Sequence, residues 1–223
     1  MGIVAIQALR QAVVLEVFDY QTLLVVLSGY ARPRDKITAM LRRGEIVRIK
    51  KGLYIFGKDY QKRPYAREVL ANLIYGPSYV SMEYALSYYG LIPERVETVT
   101  SVAQGRTRRF DTPVGLFTYQ SIPLAGYQGH FQRIELEGDG GFLMALPEKA
   151  LAEKLRSERG AGLSTQHEVE IFVLENLRVD PSALATMHLD RLSIIGRQYR
   201  SRRIQLLSQW LQRFQKRQGG AHA

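Results

Sequence analysis

The sequence contains no cysteine, which excludes a disulfide framework, thiolate metal ligands and cysteine nucleophiles. Histidine is scarce: His130, His167, His188 and His222 are scattered, and none has a second histidine or cysteine at metal-ligand spacing. No metal ion and no cofactor are therefore expected. Glycine-rich phosphate loops and the Gly-x-Ser-x-Gly elbow are also missing, so dinucleotide, Walker-type and serine-hydrolase chemistry have no motif behind them. Long hydrophobic runs are absent too. The longest purely aliphatic one, Leu23 to Leu27, falls far short of the ~20 residues that span a bilayer. The opening stretch, Met1 to Phe18, carries Gln7, Arg10, Gln11 and Glu16 and lacks a basic leader. It reads as an amphipathic helix, not as a signal peptide. A soluble, cytoplasmic chain with no membrane partner is expected.

Acidic residues are the other shortage. Of 223 residues, 21 are Asp or Glu against 31 Lys or Arg, a formal charge of +10. Such a chain attracts polyanions, nucleic acid first among them. With 46% hydrophobic and 23% charged residues, the composition is that of a folded protein, large enough for two modest domains.

Helix signals come first along the chain. A long amphipathic helix is expected from Ile3 to Leu15. Asp19 caps a helix from Tyr20 to about Ser28, with Phe18 and Leu23 as a hydrophobic staple and Gly29 as its stop. Pro33 suits the first position of a second helix that runs to Arg43 and ends at Gly44. Residues 45–56 alternate β-formers around a basic turn, Lys50-Lys51-Gly52, and predict a hairpin. A further helix begins at Pro64 and stops at Gly76-Pro77, the expected boundary between domains 1–76 and 77–223. Beyond it, Ser81 caps a short helix ended by Gly90. Residues 96–119 predict two or three strands, and Phe131 to Leu136 with Phe142 to Ala145 a hairpin. Helices follow over 147–158, 166–177, 181–188 and 190–217, the last broken near Ser201. The fold class is α+β, an N-terminal winged helix-turn-helix followed by a mixed sheet-and-helix domain.

Residues 19–56 carry the functional expectation. Two short helices and then a two-stranded hairpin is the order of a winged helix-turn-helix. In the second helix Ile37, Met40 and Leu41 fall on one apolar stripe, and the opposite side presents Asp35, Ala39 and Arg42 flanked by Lys36, Thr38 and Arg43. Arginine grips guanine O6 and N7 with two hydrogen bonds, which makes Arg42 the candidate base reader. Arg32, Arg34, Lys36 and Arg43 are expected to meet phosphates, and Lys50 and Lys51 an adjacent groove or backbone. Residues 32–51 hold eight cations and two anions, a local charge of +6. The alternative is a solvated basic helix beside an ordinary hairpin.

Several segments resemble a known family. The stretch Leu41 to Ile55 resembles the wing of the AbiEi abortive-infection antitoxins, and Tyr79 to Glu94 the opening of their second part. Val99-Thr100-Ser101-Val102, the segment Arg106 to Gly115, and Met144-Ala145-Leu146-Pro147-Glu148-Lys149-Ala150-Leu151 are similar as well. So are Leu189-Asp190-Arg191-Leu192 and Tyr199-Arg200-Ser201-Arg202-Arg203. The likeness covers roughly residues 18–205. It implies a non-enzymatic antitoxin of a type IV toxin–antitoxin operon that represses its own promoter at inverted repeats of double-stranded DNA. It also implies a nucleotidyltransferase-like toxin as functional partner, with or without direct binding. The long N-terminal helix departs from many members and serves packing or dimerisation, packing being preferred.

Three features lie outside that picture. Arg106, Arg108 and Arg109 on a strand, with Arg200, Arg202 and Arg203 in the tail, offer a second basic surface or a solvated face. Leu206, Leu207, Trp210, Leu211 and Phe214 form a helical apolar stripe beside Arg213, Lys216 and Arg217, for packing or for a partner. Glu135, Glu137, Asp139 and Glu148 with Lys149 could hold Mg²⁺, although acids around a Gly-rich turn are ordinarily solvated. Two further readings follow: a stand-alone winged-helix transcription factor with a ligand- or partner-sensing C-terminal domain, and a Mg²⁺-dependent nuclease.

Overall fold

A computed structural model describes residues 5–138, 140–160 and 162–220. The chain is a mixed α+β protein with a three-stranded and a six-stranded sheet. The first elements are α1 (Ala5–Ala12), β1 (Val17–Asp19), α2 (Tyr20–Val26), α3 (Pro33–Arg42), β2 (Ile46–Lys50) and β3 (Leu53–Phe56). Their sheet runs in the order β1-β3-β2, both pairs antiparallel. Asp19 caps α2 by accepting from the Thr22 N–H at 2.8 Å. Phe18 and Leu23 are both buried in the core that this first group forms. After α3, Gly44 takes a left-handed φ of 69°. The Glu45 N–H then reaches the Met40 carbonyl at 3.0 Å and the Gly44 N–H reaches that of Leu41 at 3.1 Å, a Schellman ending.

Two expectations about the N-terminus are corrected. The first helix ends at Ala12, not Leu15, and Ile3 lies outside the described residues. The chain turns there because Arg10 forks back, donating to the Val14 carbonyl and to the fully buried Glu16 carboxylate, each at 2.9 Å. Val17–Asp19 forms a strand where only a helix cap was expected, pairing Val17 with Ile55. Ala5, Ile6 and Leu9 are buried with Leu23, Met40 and Phe56, so α1 packs into this first core.

The remaining elements are α4 (Arg67–Ile74), β4 (Ser78–Val80), α5 (Met82–Tyr88), β5 (Val99–Ala103), β6 (Arg108–Thr112), β7 (Gly115–Ser121), α6 (Leu124–Tyr127), β8 (Phe131–Leu136) and β9 (Gly140–Ala145). Helices α7 (Pro147–Ser157), α8 (Gln166–Ile171), α9 (Pro181–Thr186), α10 (Leu189–Tyr199) and α11 (Arg202–Gly220) follow, with a π turn over Phe172–Asn176 after α8. The large sheet has the order β6-β7-β5-β4-β9-β8. Strand β4 near its middle has every residue buried, so it shows no alternation and no strand was expected there. Helix α4 starts at Arg67, not at Pro64. It lies ahead of the expected boundary at Gly76-Pro77, yet it packs against β4, β5 and β9 beyond it.

At the heart of the large unit sits a carboxylate. Glu153 of α7 is enclosed and accepts from the hydroxyls of Tyr79, Ser81 and Tyr199, which come from β4, its end, and α10. Lys149, one turn earlier, donates to the Gly129 carbonyl at 2.6 Å and lies 4.8 Å from the Tyr79 ring centre. Burial lowers the Lys149 ammonium to about 8, against the pull of Glu153. Burial likewise pushes the Glu153 carboxyl up, opposed by Lys149 and the three hydroxyls. Removing the acceptor strands three buried hydroxyls and leaves the Lys149 ammonium without its countercharge. Glu153→Ala should therefore destabilise the fold by about 3–5 kcal/mol in urea titrations, and Glu153→Gln by clearly less. A raised folded-state pKa means that the carboxyl's contribution is complete below its ordinary value of 4.5 and is lost as pH rises through the folded-state value. The stability of the wild type relative to Glu153→Gln should accordingly fall as pH rises above 4.5; a flat difference contradicts this.

Candidate nucleic-acid interface

Helix α3 offers one stripe to the small core and the rest to solvent. Ile37 and Met40 are buried, at 5% and 0% exposure, and Leu41 is partly so. Arg34, Lys36, Thr38, Arg42 and Arg43 are all exposed. The ten-residue helix has room for a single apolar stripe, so burying Ile37 and Met40 turns its cations outward.

The exposed cations are not equivalent. Among the described residues neither Arg34 nor Arg42 has an ion-pair partner. Arg32 stands 3.9 Å from Asp35 with both side chains largely solvated, a pair of little energetic weight. Lys36 lies over the Tyr30 ring, 4.9 Å from its centre. Thr38 turns its hydroxyl back to the Arg34 carbonyl at 3.0 Å, which ties its proton to the helix backbone. Arg43 forks onto the buried Glu45 carboxylate, at 2.8 and 3.1 Å. It holds the end of α3 to the start of β2 and is less available to a phosphate than expected.

The hairpin departs further from expectation. Its register shifts between Arg48 and Lys50, and such a bulge re-aims the side chain that follows. Lys50 points to α4, where its ammonium donates to the carbonyl of Ile74, the last residue of that helix. A cation there satisfies an orphan carbonyl and suits the negative end of the helix dipole. Partial burial lowers the pKa of Lys50. Lys51 is exposed at the turn, whose Gly52 has a φ of 89°. Arg48 was not singled out in the sequence, yet it is exposed on β2 opposite Tyr54. Strict alternation from the buried Ile46 would have put it on the inner face, so the pattern hid it.

The residues of the second basic group differ in how they are held. Arg106, Arg108 and Arg109 are exposed at the start of the edge strand β6, Arg109 pairing with Asp111 at 3.2 Å. Arg200 and Arg202 are exposed where α10 gives way to α11, Arg200 at a left-handed φ of 48°. Arg203 instead caps α7, donating to the Glu158 carbonyl at 2.6 Å. In α11, Leu207, Trp210, Leu211 and Phe214 are buried in the large core, so that stripe packs on its own unit.

The acidic group disperses as well. Glu135 pairs with Arg133 on β8, and Glu137 is exposed. Glu148 is buried, accepting from the His188 N–H at 3.0 Å and facing Arg191 at 3.4 Å. Asp139 lies outside the described residues, and among those described no three His, Asp or Glu side chains converge as a metal site. Also among them, no helix is long and apolar enough to cross a membrane.

No family model matches the chain, and neither does any curated protein.

The two lysines of the turn provide a test. Lys51→Gln should make the slope of log K against log salt for duplex DNA shallower by about one, while Lys50→Gln leaves it unchanged because that ammonium is held at α4. Equal effects in fluorescence-anisotropy titrations contradict the assignment.

Proposed function

We propose that this chain is a sequence-specific DNA-binding repressor in which residues 19–56 act as a winged helix-turn-helix, with α3 in the major groove. Following the resemblance of its sequence to the AbiEi antitoxins, we further propose that it represses its own operon and counters a nucleotidyltransferase-like toxin. One observation carries the DNA reading. Ile37 and Met40 anchor α3 to the small core while Arg34, Arg42 and the flanking Arg32 and Lys36 stand free of strong ion pairs on its outer side. With Arg48 and Lys51 added, about five or six phosphate contacts are within reach, which corresponds to a salt slope near −5.

A stand-alone regulator with a ligand-sensing C-terminal domain is the second reading. It is favoured by an open concavity of about 560 Å³ in the large unit, a volume typical of small-molecule sites.

The DNA reading is tested by binding to the region upstream of the chain's own gene. Arg42→Ala should lower discrimination between that duplex and random DNA by about 1–3 kcal/mol, the worth of a bidentate contact to guanine. Arg34→Ala should weaken both duplexes alike. If Arg42→Ala and Arg34→Ala behave identically, Arg42 reads no base.

A further inference from the structure

The 560 Å³ concavity lies between the edge of the large sheet and the last turn of α7. Its floor follows from strand register. Thr100 pairs with Thr118 and Thr118 with Arg109, so the three share one face of the sheet, and Gln120 joins them two residues on. Arg108 and Arg109 line one wall, and Lys154, Ser157, Glu158 and Arg159 the other, with Met82 and Glu83 between.

The lining carries four cations, Arg108, Arg109, Lys154 and Arg159, against two carboxylates, Glu83 and Glu158, a net +2. Lys154 is neutralised by both acids, at 2.6 and 2.7 Å. Among the described residues Arg108 and Arg159 have no ion pair, and the Arg109–Asp111 pair is exposed. Arg109 and Arg159 can thus turn guanidiniums to the cavity, with the Thr118 hydroxyl and the Gln120 amide as neutral donors, while Arg108, paired with Tyr119, lines it from the opposite face of the strand. The wall is also strained. Met82 holds a left-handed φ of 56°, uncommon for a residue with a side chain. It is kept there by Ser81, whose N–H is bonded to Thr100 and whose hydroxyl is bonded to Glu153. Strain retained at a cavity wall is a mark of ligand sites.

We propose that this concavity binds a small ligand carrying a di- or triphosphate group, its oxygens taken by Arg109 and Arg159. Two guanidiniums at a net positive site match a multiply charged anion better than a single carboxylate. A nucleic-acid strand fits less well. The neighbouring concavity shares Glu83 and Thr100 and is lined by Glu94 and Glu97 against a single cation, Arg95, so a polyanion running past Glu83 meets repulsion. The assignment does not depend on whether α3 enters DNA.

Calorimetric titration of the full chain with pyrophosphate, ATP, and a single-stranded oligothymidylate tests it. Pyrophosphate or ATP should bind at one molecule per chain, and the Arg109→Ala/Arg159→Ala double variant should weaken that binding by about tenfold or more. Arg42→Ala on α3 should leave it unchanged. Tighter binding of ATP identifies a nucleoside polyphosphate as the ligand, equal binding the free polyphosphate group. Absence of binding by both at millimolar concentration overturns the proposal. So does equal weakening by Arg42→Ala, which would mark mere charge attraction, or binding by the oligonucleotide alone.

Discussion

Burying a carboxylate inside an apolar core is costly unless its oxygens find donors, and the large unit is organised around that constraint. The Glu153 carboxylate draws hydroxyls from β4, from the residue leading into α5, and from α10, while Lys149 is held alongside by two carbonyls. The sheet, α7 and α10 therefore meet at one polar point inside an otherwise apolar cluster. The same point fixes Ser81, hence the strained Met82, and leaves the next residue, Lys154, directed at the concavity. Apolar packing supplies the bulk of the stability here, but it is non-directional. The hydroxyl bonds set which faces meet.

The small sheet links this unit to α3. Its hairpin has two apolar faces. Ile46, Tyr54 and Phe56 belong to the small core with Ile37 and Met40, and Ile49, Leu53 and Ile55 belong to the large one. Lys50 adds a polar tie from the turn to the end of α4. In the proposed reading the hairpin therefore does two jobs. It carries Arg48 and Lys51 beside α3, and it joins the DNA-facing elements to the unit that holds the concavity. Both partners of the hairpin are packed, so a ligand acting on DNA binding would have to work through those shared side chains.

Much of this was legible in the sequence, for identifiable reasons. The order of α2, α3 and the hairpin follows from punctuation by Asp19, Pro33, Gly44 and Gly52, and the apolar stripe of α3 from a 3.6-residue period. The break near Ser201 and the strands of the large sheet were likewise visible in turn residues. Strand β4 was not, because a strand buried on both faces lacks alternation, and β1 was too short to show any. The fate of individual cations was the least legible. Arg43 and Arg203 are held by Glu45 and by the end of α7, and Lys50 is turned by a bulge, all through contacts that local pattern does not encode. Tyr79, Ser81, Lys149 and Tyr199 lie in separate segments of the chain, and only the fold gathers them at Glu153.

The central claim is that the outer side of α3 meets a duplex. Backbone amide mapping by NMR, with isotope-labelled full chain titrated by the duplex upstream of its gene, tests this most directly. The account predicts the largest shifts along residues 32–43 and at Lys51 and Gly52, with β8 and β9 unmoved. Perturbations confined to β6 or to α11, with α3 silent at saturating DNA, would contradict it.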